Sequence, residues 1–110
     1  KEEKSNFFKN AQDVANLIPI GRVTSYGAIA KFLGSAKSAR MVGWAMNASK
    51  NTNVPAHRVV NRIGLLSGEK HFSTPTEMQF LLEKEGISVK NHQVQSFDQV
   101  FWDPSVELEL

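Results

Sequence analysis

The segment Val54-Pro55-Ala56-His57-Arg58-Val59-Val60 carries the densest chemistry in the chain. A proline fixes one backbone angle, and an imidazole and a guanidinium follow at once. The imidazole suits proton transfer near neutral pH, and the guanidinium suits gripping a carboxylate or phosphate. Between Pro55 and His57 stands Ala56, whose methyl group has no lone pair with which to attack anything. The segment therefore reads as the wall of a pocket that lacks a nucleophile. A second run, Ser38 to Asn47, is a compact helical candidate. Its outer face carries Arg40, Gly43, Trp44 and Asn47 at i, i+3, i+4 and i+7, a pattern suited to reading a duplex.

Composition narrows what these residues can do. A chain of 110 residues is one domain with one core's worth of apolar side chains. It contains no cysteine, which excludes disulfides, thiolate metal sites and thiol nucleophiles. No run approaches a membrane span and the first residues lack the apolar stretch of a signal peptide, so a cytoplasmic location and no membrane partner are expected. The net charge of +2 conceals an asymmetry: no acidic residue falls between Asp13 and Glu69, where Arg22, Lys31, Lys37, Arg40, Lys50, Arg58 and Arg62 all lie. Side chains of one sign sharing a face attract a polyanion. A solvated basic surface is the ordinary alternative; with a helix-turn-helix pattern inside the interval, nucleic acid is the better reading.

The elements that must position these residues follow in order. Ser5 is expected to cap a first helix with Phe7, Phe8, Ala11, Val14, Ala15 and Ile18 on its inner face, ended by Pro19 and Gly21. Val23 falls in an extended link. Thr24 or Ser25 caps a second helix, Tyr26 to Leu33, stopped by Gly34. Ser38 caps the third, with Met41, Val42, Ala45 and Met46 inward. The stretch from Ile63 to Gly68 reads as a small hairpin or wing. A final helix starts at Thr74 or Thr76, turns Met78, Leu81 and Leu82 inward and ends at Gly86. The aromatic end, Phe97 to Pro104, packs back on the body, and a disordered tail is expected from Ser105 to Leu110. The fold class is mainly α: a winged-helix-like helix-turn-helix domain over residues 1–104 with a small hairpin.

Four collinear runs then point to a family: Ile18 to Ala30, Ala39 to Met46, Val54 to Val60, and Leu81 to Gly86. In order and spacing they resemble the DNA-binding domain of O6-alkylguanine-DNA alkyltransferases. In those repair enzymes the residue before His-Arg is the cysteine that accepts the alkyl group; here it is Ala56. Self-alkylation is ruled out on chemistry, and the chain looks like an alkyltransferase-like protein that recognises a lesion and leaves repair to others. The resemblance implies minor-groove binding to double-stranded DNA, with an O6-alkylguanine rotated out of the stack. It would block alkyltransferases or flag the lesion for nucleotide excision repair proteins.

The same resemblance assigns roles. Arg40 would enter the vacated space in the duplex, although a phosphate contact explains an exposed arginine as well. Gly43 would allow close backbone approach. Tyr26 would press on the phosphate 3′ to the lesion, with a core tyrosine as the rival reading. Thr24, Ser25 and Ala36 would offer hydroxyl or backbone contacts to phosphate, though capping explains the hydroxyls nearly as well. Asn47 would tie the recognition helix to the pocket segment. His57 and Glu85 would persist as a hydrogen-bond network whose proton relay has lost its thiol, and Arg58 would pair with a carboxylate such as Glu85. Val54, Pro55, Ala56, Val59 and Val60 would wall the lesion pocket on one side, and the Ser67 to Ser73 loop on the other. The stacking ring would be His71 or Phe72, beside Ser73. Trp44 would pack over a sugar or a neighbouring loop. Alanine in place of a thiol enlarges the cavity, which implies tolerance of adducts bulkier than methyl.

His57, His71 and His92 show no ligand spacing with nearby carboxylates, so neither a metal nor another cofactor is expected. A monomer is expected. Two rival readings stand beside this one: an active methylated-DNA–cysteine methyltransferase inactivated by replacement of its cysteine with Ala56, and a winged-helix transcription regulator that binds a normal operator.

Overall fold

The computed structural model describes residues 2–35 and 38–108. Six helices and two small two-stranded sheets make up its regular structure: α1 (Glu2–Asn16), β1 (Thr24–Ser25), α2 (Tyr26–Phe32), α3 (Ala39–Asn47), β2 (Val59–Val60), α4 (Glu77–Lys84), β3 (Val89–Lys90), β4 (Gln93–Val94), α5 (Phe97–Val100) and α6 (Pro104–Glu107). The expected mainly α class with a small hairpin is what the chain adopts. Among the described residues no helix is long and apolar enough to cross a membrane.

Two apolar clusters hold the molecule. The first joins α1, α2 and α3 through Ala11, Val14, Ala15, Ile18, Ile29, Ala30, Val42, Ala45 and Met46. The second gathers Val23, Leu66, Met78, Leu82, Ile87, Val89 and Val94 around α4 and the β3–β4 hairpin. The parallel pair β1–β2, with Thr24 opposite Val59 and Ser25 opposite Val60, stands between them. Because side chains alternate across a strand, Val59 enters the first cluster and Val60 the second. Both are fully buried, so neither walls the pocket as the sequence suggested; they pin the chain directly after it.

Local chemistry explains most of the boundaries. Ser25 Oγ accepts the Ala28 N–H and caps α2. Ser38 stands at the N-cap of α3 as expected, but its hydroxyl pairs with that of Ser35 at 2.6 Å and makes no cap bond to the helix. Ser5 lies inside α1 and does not begin it. Helix α4 ends in a pair of reversed hydrogen bonds, Ile87 N to Leu82 O and Gly86 N to Glu83 O. Gly86 adopts φ +90°, a left-handed conformation that an L side chain resists.

The wing lies further along the chain than expected. The true hairpin is β3–β4, and the Ile63–Gly68 segment joins it through a Leu65–Gln93 bridge and a 2.7 Å bond from Gln93 Nε2 to the Ile63 carbonyl. Asn61 Oδ1 accepts the N–H groups of Ile63 and Leu65, which fixes a tight loop there. The aromatic end does pack back: Trp102 is 4% exposed and joins the first cluster. The Trp102 N–H donates to the Val23 carbonyl at 2.7 Å. Arg22, counted in the basic interval, donates to the carbonyls of Val100 and Phe101 at 3.0 and 2.6 Å, so its charge serves the fold. Where a tail was expected from Ser105, residues 104–107 form α6, capped by Asp103, and Leu108 packs against the first cluster. Glu109 and Leu110 lie outside the described residues.

Candidate lesion-binding site

The turn that links the pocket to β2 is a single 3-10 turn, Ala56–Arg58. It forms because Pro55 leads into it and the Arg58 N–H donates back to the Pro55 carbonyl at 3.0 Å. Behind this turn, Glu85 at the end of α4 collects the site's polar groups. Its carboxylate accepts from His57 Nε2 at 2.8 Å, from Arg58 Nε and Nη2 at 3.0 and 2.8 Å, and from the Gly21 N–H at 3.1 Å. Arg58 Nη1 also donates to the Ile18 carbonyl at 2.9 Å. Partial burial alone would raise the Glu85 pKa; the Arg58, His57 and Gly21 donors outweigh it and hold the group at about 2. Burial lowers the His57 pKa, and the Glu85 carboxylate only partly restores it. His57 is thus neutral at pH 7. Nε2 carries its proton toward the acceptor-only carboxylate, leaving Nδ1 with the lone pair.

In front of the turn opens a cavity of about 510 Å³. Val54, Pro55 and Ala56 line one side, and His71, Phe72 and Ser73 another, as the sequence implied, with His57 beside Ala56. Phe72 is anchored in the second cluster, whereas His71 is exposed. Gly68, within the expected Ser67–Ser73 loop, lines the cavity as well, whereas sequence reasoning missed Glu77, Leu81 and the polar Ser49–Asn53 loop. A run of five polar residues directly before the Val54 segment was the available signal.

Tyr26 joins the two faces. Its ring lines the cavity and lies within reach of Gly43 on α3, where an added methyl would meet it at 4.0 Å. Its hydroxyl hydrogen-bonds Ser67, and a methyl added at Gly68 would stand 2.8 Å from that oxygen. Burial raises the phenol's pKa more than the Ser67 bond lowers it, so the group is a neutral hydroxyl.

The expected phosphate contacts divide. Thr24 is fully buried with its hydroxyl unpartnered among the described residues, and Ser25 spends its hydroxyl on the α2 cap. Neither side chain reaches the surface, because β1 runs through the interior. Ala36 lies outside the described residues. Arg40, Trp44 and Asn47 are exposed along α3, with Gly43 between them. Asn47 lines the cavity, but among the described residues its side chain makes no hydrogen bond that ties α3 to the pocket. Ser49, 3% exposed, takes that part: its hydroxyl donates to the Ala45 carbonyl. Thr52 Oγ1 then bridges the Ser49 carbonyl and the Val54 N–H. Among the described residues no cluster of His, Asp or Glu is arranged to hold a metal ion.

Residues 6–87 match the family model described as 6-O-methylguanine DNA methyltransferase, DNA binding domain. The chain belongs to this family. Alkyltransferase-like protein 1 of Schizosaccharomyces pombe is 36% identical over 84 residues, covering 76% of this chain and 78% of its own length. The DNA base-flipping protein of Escherichia coli is 39% identical over 67 residues, covering 60% of this chain and 52% of that protein. The methylated-DNA–protein-cysteine methyltransferase of Methanosarcina acetivorans is 38% identical over 85 residues, covering 76% and 53%. This chain thus spans about half the length of the last two. Among solved structures, S. pombe Atl1 in complex with damaged DNA containing O6-carboxymethylguanine superimposes with a TM-score of 0.78 at 32% identity, covering 91% of this chain and 97% of that one.

Proposed function

We propose that this domain binds O6-alkylguanine in duplex DNA and holds it without chemical transfer. The observation that carries the reading is Ala56, lining a cavity of about 510 Å³ directly in front of an intact His57–Glu85 pair. The proton-moving pair is present and the group it would activate is absent. Alkyl transfer needs a nucleophile at that point, and a cavity lined there by a methyl group can accommodate an adduct but cannot accept it. Helix α3 would lie in the minor groove with Arg40 filling the space left by the rotated nucleotide. Gly43 supports that docking, because nothing inside the fold requires a glycine there. The names of the S. pombe and E. coli relatives, and the damaged DNA in the Atl1 complex, agree with this reading.

A lesion held but left unrepaired shields the base from alkyltransferases and marks it for other repair proteins, nucleotide excision repair among them. Binding of duplexes identical but for one O6-methylguanine, measured in moderate salt so that phosphate attraction is damped, tests the reading. The modified duplex is expected to bind more tightly, and radiolabelled methyl is expected to remain on the DNA. Equal affinity for both duplexes, or label on the protein, overturns it.

A further inference from the structure

We propose that Lys50 makes the cavity charge-selective, favouring O6 adducts that end in a carboxylate over neutral adducts of the same size. The proposal rests on the lesion-binding reading above and adds to it the class of adduct preferred. Beside Ala56 the cavity is apolar, and a carboxylate buried there without a partner would be strongly disfavoured. A partner must therefore come from the charged groups that line the same space. These are His57, Arg58, His71, Glu77 and Lys50.

Arg58 is spent on Glu85 and the Ile18 carbonyl. His57 is neutral and faces the same carboxylate with its one proton. Glu77 carries the wrong sign, and its Oε1 already accepts the Ser73 N–H at 2.8 Å. His71, as exposed on the opposite loop as Lys50 is on its own, carries an imidazole, which is not a permanent cation. Lys50 alone of the set is a permanent cation with no ion-pair partner among the described residues. Its backbone is fixed, following the buried Ser49 and preceding Asn51, whose φ is +66°. Asn51 and Asn53 follow it along the same wall and carry amide donors of the kind a carboxylate accepts. The loop therefore carries an ammonium on the cavity wall from a fixed backbone position.

The test compares three duplexes of one sequence, carrying guanine, O6-carboxymethylguanine, or O6-carbamoylmethylguanine, the neutral amide of matching shape. The wild type is expected to bind the carboxymethyl duplex roughly threefold more tightly than the carbamoylmethyl one, the scale of an exposed charge pair. Lys50→Ala is expected to bring that ratio to about one, and Lys50→Arg to keep it. A ratio of one in the wild type, or a ratio that K50A leaves unchanged, overturns the proposal. So does K50A weakening all three duplexes by one factor, which is the mark of a phosphate contact. Failure of the wild type to prefer either adduct over guanine would instead sink the lesion-binding reading itself.

Discussion

Two regions of this small domain use similar residues to opposite ends. Around Glu85, a guanidinium, a neutral imidazole and a backbone N–H converge on one carboxylate, and every partner lies within the chain. Along α3, Arg40, Trp44 and Asn47 face outward beside a glycine that the interior does not require. The first region explains itself: remove any member and another is left unsatisfied. On the lesion-binding reading, Arg40 and Gly43 in the second are there for the DNA. Where polar groups are satisfied internally they report on stability, and where they are displayed they report on a partner.

The sharpest way to break this contrast is Glu85→Gln. The side chains of Glu85 and Arg58 are only 12% and 14% exposed, so the substitution strands a guanidinium in a poorly hydrated place. A loss of about 3 kcal/mol is expected, read by denaturant unfolding, while the preference for a lesion duplex survives wherever the variant is folded. A pH series sharpens the point. The Glu85 pKa falls from 4.5 to about 2 on folding, so its stabilisation is complete above pH 4.5 and is lost as pH drops toward 2. His57 also has a depressed pKa, so stability is expected to begin falling as pH drops below 6.5. The deficit of E85Q relative to wild type should therefore shrink between pH 4.5 and 2; a constant deficit would mean the network contributes nothing to acid sensitivity.

Arg40→Ala probes the other region and should leave stability within about 0.5 kcal/mol. Affinity for the lesion duplex is expected to fall by about 1–3 kcal/mol, measured by fluorescence anisotropy; an unchanged affinity removes Arg40 from the interface. Gly68→Ala tests the bridge between the regions. Its methyl would crowd the Tyr26 hydroxyl at 2.8 Å, and a loss of about 1–2 kcal/mol is expected. Tyr26→Phe in the same chain should recover most of it, and no recovery would show that the clash lies elsewhere. The smallest effect is the most discriminating: Gly43→Ala meets the Tyr26 ring only at ordinary contact distance. The variant should be as stable as wild type or up to about 1 kcal/mol more so, yet bind DNA more weakly. Undiminished binding would take away the reason for a glycine there.

Much of this was legible before any coordinates. The pairing of His57 and Arg58 with Glu85, the outward face of α3 and the return of Trp102 to the core all follow from residue type, spacing and the family resemblance. What was not legible depends on which groups meet in space. Nothing in the sequence distinguishes Arg22, clamped on the Val100 and Phe101 carbonyls, from Arg40, which is displayed. Val59 and Val60 read as pocket wall because they follow Ala56, and only the β1 partner shows that they are interior. Ser49 was passed over for Asn47 because a buried hydroxyl tie leaves no periodic trace. The wing was misplaced because Gly64 and Gly68 both suggest turns, whereas Gly68 has φ −94° and is small to clear a tyrosine.

The two-residue strand Val59–Val60 has a bearing on how the molecule can fail. Its neighbouring side chains are anchored in separate halves, so loosening either half releases the turn that carries Ala56, His57 and Arg58. Amide protons of Val59 and Val60 should consequently exchange with solvent once either half opens, at a lower cost than whole-molecule unfolding. A partly melted molecule would then lose its grip on a damaged base altogether, without passing through a weakened binder.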